Sequence, residues 1–225
     1  MTAGFARKRT VRRVVRRKGK RRVVRRRVTR LVAVRRVRRG RRAAIAGVVR
    51  TPDGQPIPLS TVYLLGRSGS GPERMLGVAT TDQSGRFGLR LKARTSETLR
   101  LIYVGGALIQ PASRQIELRV PASSSLKVSR NRILNGQRVL FSGRLAQRAA
   151  LPAGKLVELQ TRLSGRWQTF RTTRAGPQGR WKVPYRFRRT AGTQSYRFRA
   201  RLPREAGYPF ATGRTRTVAV TVRGR

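Results

Sequence analysis

The chain has no histidine and no cysteine, and only 7 of its 225 residues are Asp or Glu. Each absence removes a class of chemistry. Without His there is no Ser-His-Asp triad, no imidazole base and no His-bearing zinc site. Without Cys there is no thiolate nucleophile, iron–sulfur cluster, Cys zinc site or disulfide, and cysteine says nothing of redox compartment. Seven scattered acids are poorly suited to the roughly 6–8 oxygen ligands of a calcium site. Long apolar runs are also missing. A run such as Ala43–Val49 is far short of the ~20 residues that a membrane-spanning helix needs. The expectation is a non-enzymatic protein with no cofactor and no metal.

What is present is arginine. Lys and Arg number 55, of which 48 are Arg, and the formal net charge is +48. Such a chain repels itself and needs counterions or an anionic partner: nucleic acid, acidic polysaccharide or an anionic lipid surface. Guanidinium favours planar, bidentate contact with phosphate and carboxylate. The apolar fraction of 38%, with 23 Gly, is near the globular average, so a core can form. The length suits one or two domains.

The charge is densest at the start. Residues 1–42 hold 18 Arg and 3 Lys with no acid, and the remainder holds 34 basic and 7 acidic groups. Val11, Val14, Val15, Val23, Val24 and Val28 sit at mixed spacing among like charges that repel at i,i+4. Residues 1–29 are therefore expected to be a basic arm, disordered in isolation or transiently helical on a polyanion. Its candidate anion-binding residues are Arg12, Arg13, Arg16, Arg17, Arg21, Arg22, Arg25, Arg26 and Arg27. An Arg-rich extension without a selected partner explains the composition equally well. Arg7–Arg30 contains no apolar core of the kind a signal peptide needs.

A repeat follows. Gly40–Gly47 (GRRAAIAG) matches Gly136–Gly143 (GQRVLFSG). Pro58–Leu64 parallels Pro152–Leu159, and Thr80–Phe87 (TTDQSGRF) parallels Arg174–Trp181 (RAGPQGRW). Self-similarity at a spacing of ~95 residues argues for two copies of one domain type. Each half carries short alternating runs separated by turn signals such as Pro52-Asp53-Gly54, Gly66–Gly71, Asn135-Gly136 and Ala191-Gly192. No run outside the arm carries a helical stripe. The pattern predicts an all-β chain of two tandem Ig-like antiparallel β-sandwich domains, residues 30–121 and 122–225. Leu31–Val37 and Leu126–Arg130 are expected to be the first strands, and Pro121–Ser125 a linker. Residues 38–225 are expected to fold without the arm.

Residues 47–91 (GVVRTPDGQPIPLSTVYLL…ATTDQSGRFGLRL) resemble the carboxypeptidase regulatory-like and collagen-adhesin B-repeat-like group. The shared features are G-x-V, D-G-x-P-I, a V-x-L strand and T-D-x-x-G-x-F. Residues 126–222 resemble Ig-like modules of bacterial exported proteins, through Gly154–Gln160, Gly165–Phe170, Gly179–Trp181, Tyr196–Ala200 and Gly207–Gly213. The resemblance implies β-sandwich spacers or ligand-presenting domains rather than catalysts. It also implies an extracellular or cell-surface setting, with a cytoplasmic one as the alternative. The second copy departs from the pattern by having Gly176 where the turn usually has Asp.

Several motifs bear on chemistry. Asp53 and Asp82 sit in turns, where the side chain accepts backbone N–H bonds. Ser124–Lys127 matches S-x-x-K, but no helix start or partner motif accompanies it. Gly66–Gly71 lacks Walker spacing and a following helix. Asn131 and Asn135 lie in one turn near the start of the second half, so no Lys–Asn isopeptide bond is expected. The richest stretch is Arg180–Arg201. Trp181, Val183, Tyr185 and Phe187 alternate with basic residues, as do Tyr196, Phe198 and Ala200. Were these strands paired, one face would be aromatic core and the other a ladder of Arg186, Arg188, Arg197, Arg199 and Arg201. A merely solvated face is the competing reading of that ladder. The expected function is a structural or adhesion module of an exported or cell-surface protein contacting anionic cell-wall or extracellular polymers. The alternative is sequence-nonspecific nucleic-acid binding through the arm.

Overall fold

The computed structural model describes residues 1–17, 20–106, 109–147 and 154–224; the side chains of 13, 15–17, 20, 22, 24 and 26 lie outside the description. The chain divides into two compact units, Met1–Val120 and Pro121–Arg225. No helix is present among the described residues, in keeping with the period-two patterning.

Unit 1 is built from β1 (Thr2–Arg17), β2 (Lys20–Val32), β3 (Val34–Arg36), β4 (Arg42–Val48), β5 (Thr61–Arg67), β6 (Arg74–Thr80), β7 (Arg86–Lys92), β8 (Glu97–Tyr103) and β9 (Ala112–Arg119). They form a four-stranded sheet, β2-β1-β4-β7, and a five-stranded sheet, β3-β9-β8-β5-β6. Alternation decides what faces inward. Ala43, Ile45 and Phe87 from one sheet and Val62, Leu64, Leu99, Leu101, Ile116 and Leu118 from the other are buried.

Unit 2 comprises β10 (Lys127–Val128), β11 (Arg132–Leu134), β12 (Arg138–Arg144), β13 (Leu156–Leu163), β14 (Arg166–Arg174), β15 (Arg180–Arg186), β16 (Thr193–Leu202), β17 (Gly213–Arg214) and β18 (Val218–Arg223). The sheets are β10-β12-β15 and β11-β18-β16-β13-β14, with β17 on β16. Aromatic rings fill the space between them. Phe141 on β12 lies 4.8 Å from Phe198 on β16, and Tyr185 on β15 lies 5.0 Å from Phe170 on β14. Such ring pairs add to area burial. Each unit is thus an Ig-like β-sandwich, antiparallel except where β3 runs parallel to β9 and β11 parallel to β18.

The repeat is visible in three dimensions. Gly47 pairs with Phe87 and Gly143 with Trp181, and a Cβ at either glycine would collide with the ring opposite. Both sequence turns close alike. Gly85 N–H donates to Asp82 O (2.8 Å), and Gly179 N–H to Gly176 O (2.7 Å). Gly85 and Gly179 have φ of 70° and 72°, a conformation that Gly adopts at no steric cost. In the first copy Asp82 Oδ1 also accepts from Ser84 and Arg86 N–H. The second copy keeps the backbone bonds without that carboxylate, which is why Gly176 is tolerated.

The first 37 residues depart from expectation. Residues 1–29 do not begin as an arm without structure. Thr2–Phe5 pair with Val48–Ile45, and Phe5 is wholly buried. In unit 2 the same place, against Phe141 and Ser142, is taken by β10. The first strand of unit 1 is therefore residues 2–5, not Leu31–Val37; the latter contributes β3 and the end of β2. Beyond Ala6, β1 pairs with β2 alone, in register from Ala6↔Leu31 to Arg17↔Lys20. The physical reason is that Phe5, Leu31 and Val32 anchor both strand ends to the sandwich, so the pairing between them carries little extra loop-closure cost.

The expected linker Pro121–Ser125 is also pinned. Ala122 is buried and its N–H donates to Ala211 O (2.8 Å). Ser123 N–H bonds Gln147 Oε1 (2.8 Å) and Ser125 N–H bonds Arg144 O (3.0 Å). The segment belongs to the framework of unit 2.

Candidate anion-binding surfaces

Acid placement organises both surfaces. All five Glu serve the larger sheets. In unit 1 Glu73 pairs with Arg100, Glu97 with Arg74 (2.6 Å) and Glu117 with Arg119 (2.7 Å). In unit 2 Glu158 pairs with Arg201 (2.6 Å), and Glu205 with Lys155 and Arg174. The two Asp lie in turns outside the strands. The strands of the smaller sheets contain no acid at all.

The charged residues at their outward positions are all basic. On β4 and β7 these are Arg42, Arg86, Arg90 and Lys92; on β10, β12 and β15 they are Lys127, Arg138, Arg144, Arg180, Lys182 and Arg186, all exposed. The register sets like charges opposite one another: Arg42↔Lys92 in unit 1, Arg138↔Arg186 and Arg144↔Arg180 in unit 2. Like charges opposed across strands are destabilising, so these faces favour a neutralising anion.

The single ladder expected from Arg180–Arg201 is corrected. β15 and β16 do not pair; they lie in different sheets, because the aromatics of both strands face one another across the core. The Arg residues therefore point to opposite outer faces. Arg186 stands beside Arg138. Arg188 is exposed just beyond β15, and its carbonyl accepts from Asn135 Nδ2 (3.3 Å). Arg197 is exposed on β16, opposite Ala219. Arg201 is engaged by Glu158. Arg199 donates from Nε to Gln160 Oε1 (2.9 Å) and stacks 4.1 Å above Trp167. Burial, then repulsion from Arg214 and Arg201, holds its guanidinium below the ordinary arginine pKa. Glu158, Gln160 and Trp167 were not singled out in the sequence, although all three lie one or two strands from the ladder.

In the hairpin of β1 and β2, Arg12, Arg21, Arg25 and Arg27 are exposed. The side chains of Arg13, Arg16, Arg17, Arg22 and Arg26 lie outside the described residues. Described residues of both hairpin faces, from Arg7, Lys8 and Arg9 through Arg30, are open to solvent. Beyond its root, the described residues form a two-stranded ribbon with no third layer on either face.

No protein-family model and no curated protein matches the chain. Solved structures similar to it include the Yersinia pseudotuberculosis adhesin InvE, at 14% identity and a TM-score of 0.35, covering 84% of this chain and 56% of that one. The D0-D1 domain of intimin matches at 15% and 0.31, covering 84% and 94%. A tetra-tandem repeat from the extending region of a large adhesion protein matches at 14% and 0.38, covering 81% and 46%. The chain spans about half the length of the InvE structure. The likeness is one of fold alone.

One buried charged cluster escaped the sequence reading. Lys155 is almost wholly buried. Its Nζ donates to Pro203 O (2.5 Å) and Glu205, and lies 5.3 Å from the Tyr208 ring centre. Burial pulls the Lys155 pKa down, against the opposing pull of Glu205. For Glu205 burial pushes upward, but bonds from Lys155, Leu156 N–H and Arg174 outweigh it and hold the carboxyl below its usual range. Tyr208 donates to Gln147 O (3.1 Å) and is pushed up to about 12 by burial and by the charge of Glu205. With its cation fully partnered, the cluster fastens residues 203–208 to β13 and offers no open nucleophile. Ser124 of the S-x-x-K motif is likewise engaged, accepting from Trp181 Nε1 (3.0 Å).

Proposed function

We propose that the chain is a non-catalytic structural or adhesion module of an exported or cell-surface protein that contacts anionic cell-wall or extracellular polymers. The observation that carries this reading is the segregation of charge. Every Glu is spent on the larger sheet of its unit, and the smaller sheets are left with opposed, unneutralised cations. The resemblance of residues 47–91 to regulatory-like and adhesin repeat domains supports the exported setting.

The shape of the β1–β2 ribbon favours a second reading, nucleic-acid binding. A two-stranded ribbon is narrow enough to enter the major groove of duplex DNA. With no base-reading motif, its contacts would be to phosphates.

One salt titration tests both. The full chain is presented with polygalacturonate, neutral dextran and two unrelated DNA duplexes. Binding to polygalacturonate and not to dextran is expected, with affinity falling as salt rises. On DNA, log K should fall with log salt at a slope of about −0.9 per phosphate engaged, alike for both duplexes. Binding to dextran equal to that for polygalacturonate, or no binding at low salt, sinks the first reading. Binding to DNA alone promotes the second.

A further inference from the structure

The outer face of β10-β12-β15 is not uniformly basic. Two residues along a strand is about 6.8 Å, and at that spacing its rows read Arg144–Arg180, Ser142–Lys182, Leu140–Pro184 and Arg138–Arg186. The third row is apolar. Beside it and the fourth lies an open depression of about 560 Å³, lined by Ser129, Arg130, Gln137, Arg138, Leu140, Pro184 and Arg186, among others. Three of its lining residues are arginines, and none of the three is in a salt bridge among the described residues. No Asp or Glu lines it.

Arg138 and Arg186 are direct cross-strand partners. Their side chains start about 5 Å apart and repel unless something negative lies between or above them. Arg130 approaches from the short segment between β10 and β11. Leu140 is half-buried and Pro184 exposed, so the floor next to the cations is an apolar step rather than more charge. An inorganic ion has no use for such a step. A ring with a C–H face and an oxyanion substituent uses both parts.

We propose that this depression is a discrete binding site for one acidic sugar residue, whose carboxylate or phosphate is held by Arg138, Arg186 and Arg130 while its ring rests on Leu140 and Pro184. The site rests on the reading of the chain as a contact module for anionic polymers and gives that reading an address. Guanidinium takes an oxyanion through two parallel N–H···O bonds, so two arginines facing one group fix both its position and its plane. Each such pair is neutralised only when the site is filled, which couples occupancy to relief of cross-strand repulsion.

The experiment uses the full chain and three probes: hexagalacturonate, its methyl ester and inorganic phosphate. Two double variants remove the same charge from the same sheet. One is R138Q/R186Q, in the depression; the other is R144Q/R180Q, two rows or more away. Hexagalacturonate affinity should fall about tenfold or more in R138Q/R186Q, the scale of losing charge-assisted hydrogen bonds, and less than about threefold in R144Q/R180Q. The unliganded R138Q/R186Q protein should melt no lower than wild type, since a repulsive pair has been removed, which separates lost binding from lost folding. The methyl ester should bind weakly, because the oxyanion is gone. Phosphate at the same concentration should bind more weakly than the hexamer and lose the same factor in R138Q/R186Q. Equal losses in both double variants would show diffuse attraction and overturn the site while leaving the polymer reading intact. Wild-type affinity for the ester equal to that for the acid would also overturn the site. No binding of any acidic polymer, under conditions where the protein is folded, would remove the underlying reading instead.

Discussion

The two units are copies of one plan that differ most at one connection. In unit 2, β10 leaves the smaller sheet and β11 joins the larger one after residues 129–131. In unit 1 the same crossing, from Phe5 to Val34, takes residues 6–33. The basic hairpin is therefore an insertion within a domain, not a tail ahead of one. The difference teaches that charge density alone does not mark a domain boundary. A segment can be the most basic in the chain and still be rooted at both ends in a sandwich. The rest of the plan is kept down to single residues, with Gly47 under Phe87 and Gly143 under Trp181.

The largest effect should come from breaking the root of the insertion. Phe5→Ala should destabilise unit 1 by about 3–5 kcal/mol, the usual loss for a fully buried Phe. Replacing residues 6–33 with Ser-Arg-Asn, the link of unit 2, should cost no more than about 2 kcal/mol, from the half-buried Leu31 and Val32. Both tryptophans, Trp167 and Trp181, lie in unit 2, so their fluorescence transition should stay put while the circular dichroism transition of unit 1 moves. Deletion of residues 1–37 outright should resemble Phe5→Ala or worse, against the expectation that residues 38–225 fold alone. A larger loss from the excision than from Phe5→Ala would mean that the ribbon itself holds the unit together.

A middle-sized effect should separate the units by pH. Tyr208 keeps its proton to about 12 in the folded protein against an ordinary 10.0. Its contribution to stability is present below pH 10 and is lost as pH rises towards 12, because only the unfolded chain releases the proton early. Unit 2 should lose on the order of 1–2 kcal/mol over that window, and Tyr208→Phe should flatten the loss. Tryptophan-detected unfolding at pH 9, 10.5 and 12 reads this directly; an unchanged slope in the variant would assign the alkaline limb elsewhere.

The smallest effect concerns how each larger sheet handles its arginines. Unit 1 relies on ion pairs, whereas unit 2 adds the stack of Arg199 on Trp167. Trp167→Leu should cost about 0.5–1 kcal/mol, and more of that loss should survive high salt than for Arg100→Gln, since a surface ion pair is screened. Denaturant midpoints of the two variants at low and high salt make the comparison.

Much of the sandwich was legible because half-buried strands write their orientation into the sequence. Val62, Leu64 and Gly66 alternate with exposed or half-exposed neighbours, as do Trp181 and Val183. The hairpin was not legible for a related reason. Its Val and Arg come in doublets, so neither face is consistently apolar and period two is hidden. The pairing shows what the doublets do: Arg9 meets Val28, Val11 meets Arg26 and Arg13 meets Val24, while Arg12 meets Arg25 and Val14 meets Val23, so cation–valine pairs are interleaved with like pairs and neither face keeps one character. The near-mirror sequence Arg12–Arg26 around Gly19 was the signal available. The split of the Arg ladder was hidden because alternation tells which way a side chain points but not which sheet its strand joins. The Lys155 cluster was invisible because Glu205 and Tyr208 lie about 50 residues away from it.

The parallel pairs have a mechanical meaning. In unit 2, β11 lies near the entry of the chain and β18 near its exit, side by side and pointing the same way, with Arg132, Ile133 and Leu134 beside Thr221, Val222 and Arg223. Tension between the two ends drags these strands past each other lengthwise. Their hydrogen bonds are then loaded together, in shear, rather than peeled apart one at a time as at the end of a hairpin. β3 and β9 stand in the same relation in unit 1. There, however, the ribbon precedes the clamp, and a pull on Met1 reaches β1 and the buried ring of Phe5 before it reaches β3. In both copies a pull from the entry side meets a first strand before the clamp: the pinned Ala122 and β10 in unit 2, and β1 with the buried ring of Phe5 in unit 1, where residues 6–33 then lie between that anchor and the clamp.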